Sequence, residues 1–151
     1  MKSTLALCLL TLVSGALIPV GAQANAVFSK SLGGNIPFAA AAVFLIAALA
    51  TGVGILLTGA KPPAPSAFRL APWWVYLSGF IFTFYLFTIT FVAPRLGVGT
   101  AIALIVTGQI IAALAIDHFG LFGAAKTTIT VQRAIGLLVM AVGVYLAKKP
   151  R

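Results

Sequence analysis

The sequence predicts an all-α integral membrane protein, a bundle of five transmembrane helices. Of its 151 residues, 62% are hydrophobic and 7% are charged, whereas a soluble domain carries about 25% charged residues. The mean hydropathy is +1.16. Its apolar runs have the length of membrane-crossing helices. They lack the segments of about ten residues with alternating apolar and polar side chains that mark the strands of an outer-membrane barrel. We expect one membrane domain over residues 1–151, with spans at 5–28, 37–58, 73–92, 98–116 and 134–147.

The first span also resembles a secretory signal peptide. Lys2 precedes the apolar run, and small residues follow Pro19 at a spacing typical of a cleavage site. Cleavage would leave four helices and carry the basic C-terminal tail outward, against the positive-inside rule. We therefore expect the span to be retained. Pro19 then frees a backbone carbonyl, and Gln23 and Asn25 bring two amides to the same end, either as a solute site or as caps near the interface.

Turn-forming residues separate the first span from the second and the second from the third. Residues 33–35, with the sequence Gly-Gly-Asn, predict a tight turn, and Pro37 then suits the first turn of the second span. Residues 61–72 contain four prolines and two basic residues, and predict a loop. Trp73 opens the third span as part of an aromatic belt, and Pro94 is expected to end it.

Two polar side chains inside the third and fourth spans are candidate solute ligands. Gln109 lies near the middle of the fourth span, where an amide needs a partner within protein or a water-filled cavity because lipid offers none. Its alternative role is a hydrogen bond to a neighbouring helix. Tyr85 is the hydroxyl we expect to bind solute, because the nearby threonines satisfy themselves against the preceding helical turn.

Asp117 and His118 are the only acidic residue and the only histidine, and they stand where the fourth apolar run ends. Gly120 is expected to stop the helix just after them. Histidine changes charge near neutral pH, so the pair is suited to act as a proton relay or a gate. The alternative is a structural cap at the membrane interface.

Small residues recur along one face of the fifth span. Gly136, Gly143 and Ala147 follow spacings of helical period, which allow two backbones to approach closely. We expect this stripe to form the seam of a dimer.

Basic residues divide evenly between the two sides of the five predicted spans. One side carries Lys2, Lys61, Arg69, Lys126 and Arg133. The other carries Lys30, Arg95, Lys148, Lys149 and Arg151. The bias that normally orients a membrane protein is therefore absent. Either the chain inserts both ways and pairs antiparallel with itself, or an oppositely biased homologous partner orients it. Both arrangements give a ten-helix assembly of inverted repeats.

Composition argues against several other classes of protein. One cysteine, one histidine and one acid cannot assemble a metal-ligand cluster, and no nucleophile with its base or phosphate-binding loop is present. The +9 net charge is scattered between spans rather than gathered on one face, so nucleic acid is not an expected partner. We expect no enzyme activity and no cofactor; the partners are the bilayer, a small-molecule substrate and a second small membrane protein.

Several motifs resemble the YdcZ-like group of the bacterial drug/metabolite transporter superfamily. They are Gly15, Gln23, Asn25 and Ala26, then Pro72-Trp73-Trp74, Pro94-Arg95-Leu96-Gly97, Gly108-Gln109 and Asp117-His118-Phe119-Gly120-Leu121-Phe122-Gly123. The resemblance covers nearly the whole chain, and the last two motifs are its most specific part. It implies a five-helix half-transporter in the bacterial inner membrane that acts as a dimer.

One departure bears on the substrate. Small multidrug exporters of the same superfamily use a membrane-embedded glutamate to exchange protons for cations, and this chain has no glutamate. Burying a cation without a carboxylate costs several kcal/mol. We therefore expect a neutral or anionic polar solute, carried by alternating access. The alternative is a passive channel or an accessory subunit of a membrane complex.

Overall fold

A computed structural model of the chain describes residues 2–128 and 130–147. Over these residues it is helical and contains no strand. The helices are α1 (Lys2–Ser31), α2 (Ile36–Thr58), α3 (Pro65–Leu70), α4 (Leu77–Leu96), α5 (Val98–Phe119) and α6 (Val131–Ala147), with short 3₁₀ helices at Trp73–Tyr76 and Leu121–Gly123. The chain forms two compact units, Met1–Pro94 and Arg95–Arg151. The prediction of an all-α protein is confirmed for the described residues.

Four helices of the described part are long and apolar enough to cross a membrane. They cover Thr4–Ser31, Ile36–Thr58, Trp73–Leu96 and Val98–Phe119, and they coincide with the first four predicted spans. The fifth predicted span falls on α6, whose 17 residues give about 25 Å of helix at 1.5 Å per residue. A fifth crossing therefore stays a prediction. The basic tail with Lys148, Lys149 and Arg151 lies outside the described residues.

In the first unit, α1 and α2 pack against each other across the predicted tight turn. Gly33 and Gly34 have φ angles of 68° and 85°, a backbone region that glycine enters without steric cost. The side chain of Asn35 then caps α2 by accepting a hydrogen bond from the backbone N–H of Phe38 at 3.1 Å. Helix α1 continues through Pro19 without interruption.

Two boundary predictions in the first unit were wrong. Residues 61–72 were expected to be a loop, but they contain α3, and the hydroxyl of Tyr76 donates to the carbonyl of Phe68 at 2.5 Å. Proline at the first turn of α3 costs no hydrogen bond there, which explains the helix. Pro94 was expected to end the third span, yet α4 runs to Leu96. The helix instead ends at Gly97, where φ is 86°.

Small residues dominate the buried surface of the first unit. The buried apolar residues there are Ala22, Ala26, Ala39, Ala40, Ile89 and Ala93. Small side chains let helix backbones approach, which is the usual basis of helix packing in membranes. Ile89 is the only large side chain that is fully buried among the described residues. Most leucine, isoleucine and phenylalanine side chains of the described residues are instead exposed.

In the second unit, α5 packs against α6, and the connection between them starts at Gly120. Gly120 has the left-handed φ and ψ of 64° and 35°, and its N–H caps the carbonyl of Ile116. The chain then returns, and the N–H of Thr127 donates to the carbonyl of Asp117 at 2.8 Å. Thr130 stands just before α6, and its hydroxyl accepts a long hydrogen bond, 3.4 Å, from the N–H of Arg133.

Candidate functional site

A buried pair of polar side chains joins α1 to α4 in the first unit. The Nδ2 atom of Asn25 donates to Oγ1 of Thr90 at 2.5 Å. Each residue is only 3% exposed. Ser29 lies one helical turn beyond Asn25 and is also buried. Asn25, Ser29 and Thr90 are the buried polar residues among the described part of the first unit.

The hydroxyl of Thr90 takes part in two hydrogen bonds. It donates to the carbonyl of Leu86 at 2.7 Å. It accepts from the NH₂ group of Asn25. This leaves Oδ1 of Asn25 buried without a partner. Leaving a buried acceptor without a donor costs about 1–3 kcal/mol, a cost that a bound water or solute can remove.

Helical spacing explains why Asn25 is buried. Ala22, Asn25, Ala26 and Ser29 follow the i, i+3, i+4, i+7 pattern of one helix face, and all four are buried. Small neighbours on this face let α1 approach α4 closely enough for the amide to reach Thr90. On α4, Thr90 lies on the same face as Ala93, which is likewise buried.

The other predicted solute ligands do not join this pair. Gln23 is two residues from Asn25, which places it on the opposite side of α1, and it is exposed. Tyr85 is partly buried in α4. Gln109 is exposed on α5, in the second unit. Asn25 is thus the one predicted solute ligand that is fully buried, and the roles of the other three stay predictions.

Asp117 has a charged partner in α6. Oδ2 of Asp117 lies 3.7 Å from Nη1 of Arg133, and their side chains are 43% and 49% exposed. A half-exposed pair of this kind contributes about 0–1 kcal/mol to stability. Beside it, Nδ1 of His118 is buried without a hydrogen-bond partner. The His118 ring meets the Phe119 ring edge-on at 5.0 Å. The pairing with Arg133 fits the structural role for Asp117, and the role of His118 as a relay or a gate stays a prediction.

An open groove of about 290 Å³ lies between α5 and α6. Its lining residues are Ile110, Leu114, Arg133, Gly136 and Met140. Gly136, predicted to belong to a dimer seam, therefore borders α5 of its own chain. Gly143 is exposed, and nothing lies within 4 Å of a Cβ atom added there. The side chain of Ala147 lies outside the described part, so the seam stays a prediction.

Comparison with known protein families decides the assignment. The family model described as "Putative inner membrane exporter, YdcZ" matches residues 6–146. The chain belongs to the YdcZ family. The resemblance stated from the sequence motifs is thereby confirmed, and the four apolar helices fit the inner-membrane location in the YdcZ description. That description names export rather than catalysis. No curated protein and no solved structure matches the chain.

Sequence reasoning missed three polar residues of this YdcZ protein, two of which contact a predicted site residue and one of which is buried beside Asn25. Thr90 was set aside as a threonine bonded to its own helix, which it is, but its oxygen also accepts from Asn25. Ser29 extends the Asn25 face by one turn, and its i+4 spacing was a usable signal. Arg133 was counted only as a membrane flank, although it is the partner of Asp117.

Proposed function

We propose that this YdcZ-family protein exports a small polar solute, neutral or anionic, across the bacterial inner membrane by alternating access. The observation that carries the proposal is the unpartnered Oδ1 of Asn25, buried between two membrane-crossing helices. Polar groups buried among the helices of a membrane protein are costly, and they commonly mark the path of a solute. No described residue donates a hydrogen bond to this oxygen, so a bound solute can do so.

The transporting unit proposed here is an antiparallel dimer, formed with a second copy or with a homologous small membrane protein. Two observations support it. Few large side chains are buried within the described chain, which leaves wide helix faces for a second subunit. The basic residues divide five against five across five spans, so neither orientation is favoured. Two inverted copies would give the pseudo-symmetric halves on which many transporters rely.

Counterflow in liposomes tests transport against the alternatives. Proteoliposomes are loaded with an isotope-labelled bacterial metabolite extract, and mass spectrometry follows the exit of each compound. We expect a small set of compounds to leave in a saturable manner, and to leave faster when the same unlabelled extract is present outside. A channel would release compounds without saturation or acceleration. Exit no faster than from protein-free liposomes would contradict transport by this chain and favour an accessory subunit.

A further inference from the structure

We infer that the exported solute is a neutral hydrogen-bond donor, a compound with hydroxyl or amide N–H groups, which bonds to Oδ1 of Asn25. This inference rests on the proposed export function and specifies its substrate class. It narrows the neutral or anionic range to one chemistry.

The hydrogen-bond arrangement of the buried pair decides which solute atoms fit. The hydroxyl of Thr90 donates its only hydrogen to the carbonyl of Leu86, and the NH₂ group of Asn25 donates to the Thr90 oxygen. The unused atom is therefore an acceptor, Oδ1. An acceptor is complemented by O–H or N–H, whereas the oxygens of a carboxylate or phosphate would face it with lone pairs against lone pairs.

The charges of the first unit argue against an ionic solute of either sign. Residues 3–29, 31–60 and 70–94 contain no charged side chain. The nearest basic residues in sequence, Lys30 and Arg95, are each five positions from a member of the pair, in the last turns of α1 and α4. No charged residue lies within four positions of Asn25 or Thr90 in α1 and α4. An ion there would thus lack a counter-charge from the same turns of these two helices, which is disfavoured in a dry environment. A neutral solute has no such penalty.

Small residues surround the pair. Ala22 and Ala26 share the buried face of α1 with Asn25, and Ala93 shares that of α4 with Thr90. A solute that reaches Asn25 would have to separate these close-packed alanine faces and displace Ile89, the large buried side chain of α4. A donor group entering there would satisfy Oδ1 and leave the Asn25–Thr90 hydrogen bond in place.

The test separates solutes by charge. A bacterial metabolite extract is divided on ion exchangers into neutral, anionic and cationic fractions, and each fraction is sealed into proteoliposomes of the full chain. We expect protein-dependent, trans-accelerated loss from the neutral fraction only, in compounds that carry O–H or N–H groups. Asn25→Leu, which removes the acceptor at similar volume, should lower that loss at least tenfold. The matched control is Ser14→Ala, because the exposed hydroxyl of Ser14 bonds to Leu10 within α1. Loss of neutral compounds from liposomes that contain this variant should stay within twofold of the wild-type loss.

A second variant keeps the inference testable if Asn25→Leu does not fold. Asn25→Asp places a carboxylate at the buried position, which can compensate a positive charge, so losses should appear from the cationic fraction. Asn25-dependent loss from the anionic or cationic fraction of the wild type would overturn the inference and leave export standing. Neutral loss that Asn25→Leu does not change would also overturn it. Absence of accelerated loss from all three fractions would instead contradict export itself.

Discussion

Thr90 donates one hydrogen bond and accepts another, and this double use sets the stability of the α1–α4 contact. Thr90→Val keeps the volume but removes both bonds, leaving Nδ2 of Asn25 buried without an acceptor. We expect destabilisation of about 1–3 kcal/mol, measured by thermal unfolding in detergent. Thr83→Val is the control, since the Thr83 hydroxyl bonds to Gly79 within its own helix. Equal unfolding midpoints for the two variants would show that the Asn25 contact contributes nothing.

Asp117 and His118 carry the prediction about pH. Histidine is the side chain whose charge changes nearest to neutral pH, and Asp117 is its neighbour in the chain. Two basic residues lie close to this end of α5: Arg133 pairs with Asp117, and Lys126 lies beside Gly120. If protons drive export through side chains, Asp117→Asn and His118→Gln should each abolish the pH dependence of transport in liposomes. Counterflow at fixed pH should persist.

Lys126→Gln is the control for those two variants. It removes a nearby positive charge but leaves both proposed proton carriers, so the pH response should remain. If Asp117→Asn and His118→Gln both keep the full response, the pair is structural. Coupling would then use another ion or none.

The positions of the first four membrane-crossing helices could be predicted from the sequence. A helix in lipid must satisfy its own backbone and stay apolar for about 20 residues, so the first four spans were visible as composition alone. Ends were harder. Proline lacks an N–H and disfavours a helical residue before it, so Pro94 was expected to end α4. The helix instead continues for two more residues and ends before Gly97, which has a positive φ. The partner of Asn25 was not predictable, because no sequence spacing relates residue 25 to residue 90.

Helix α6 carries the prediction about assembly. Gly143 is exposed with open space where a side chain would begin, so Gly143→Leu should not disturb the chain itself. If Gly143 lies in a dimer seam, leucine will hold the two backbones apart and reduce the cross-linked dimer several-fold. Membrane insertion should be unchanged. Val142→Leu, at the neighbouring exposed position, is the control. Full cross-linking of Gly143→Leu would place the seam elsewhere.

Most large apolar side chains of the described residues are exposed, and the basic residues divide evenly between the two sides of the five predicted spans. This five-against-five division predicts that the chain inserts both ways when it is expressed alone. C-terminal reporters that work only in the cytoplasm or only outside it should then both give signal. A strong signal from one reporter alone would contradict dual insertion.

A charge variant provides the control for orientation. Lys61→Ala together with Arg69→Ala removes two exposed basic residues from the connection between α2 and α4. The predicted count becomes about three against five, which favours the C-terminal side in the cytoplasm. The cytoplasmic reporter should then dominate.

The left-handed backbone at Gly120 has a consequence in terms of chirality. Its φ and ψ of 64° and 35° are those that a D-amino acid prefers, while an L-residue there is strained by about 1–2 kcal/mol. An L-side chain would also bring its Cβ to 3.4 Å from Cβ of Lys126. A D-amino acid adopts this backbone conformation without strain. A semisynthetic chain with D-alanine at position 120 should therefore keep the helix cap at Ile116, which L-alanine should weaken.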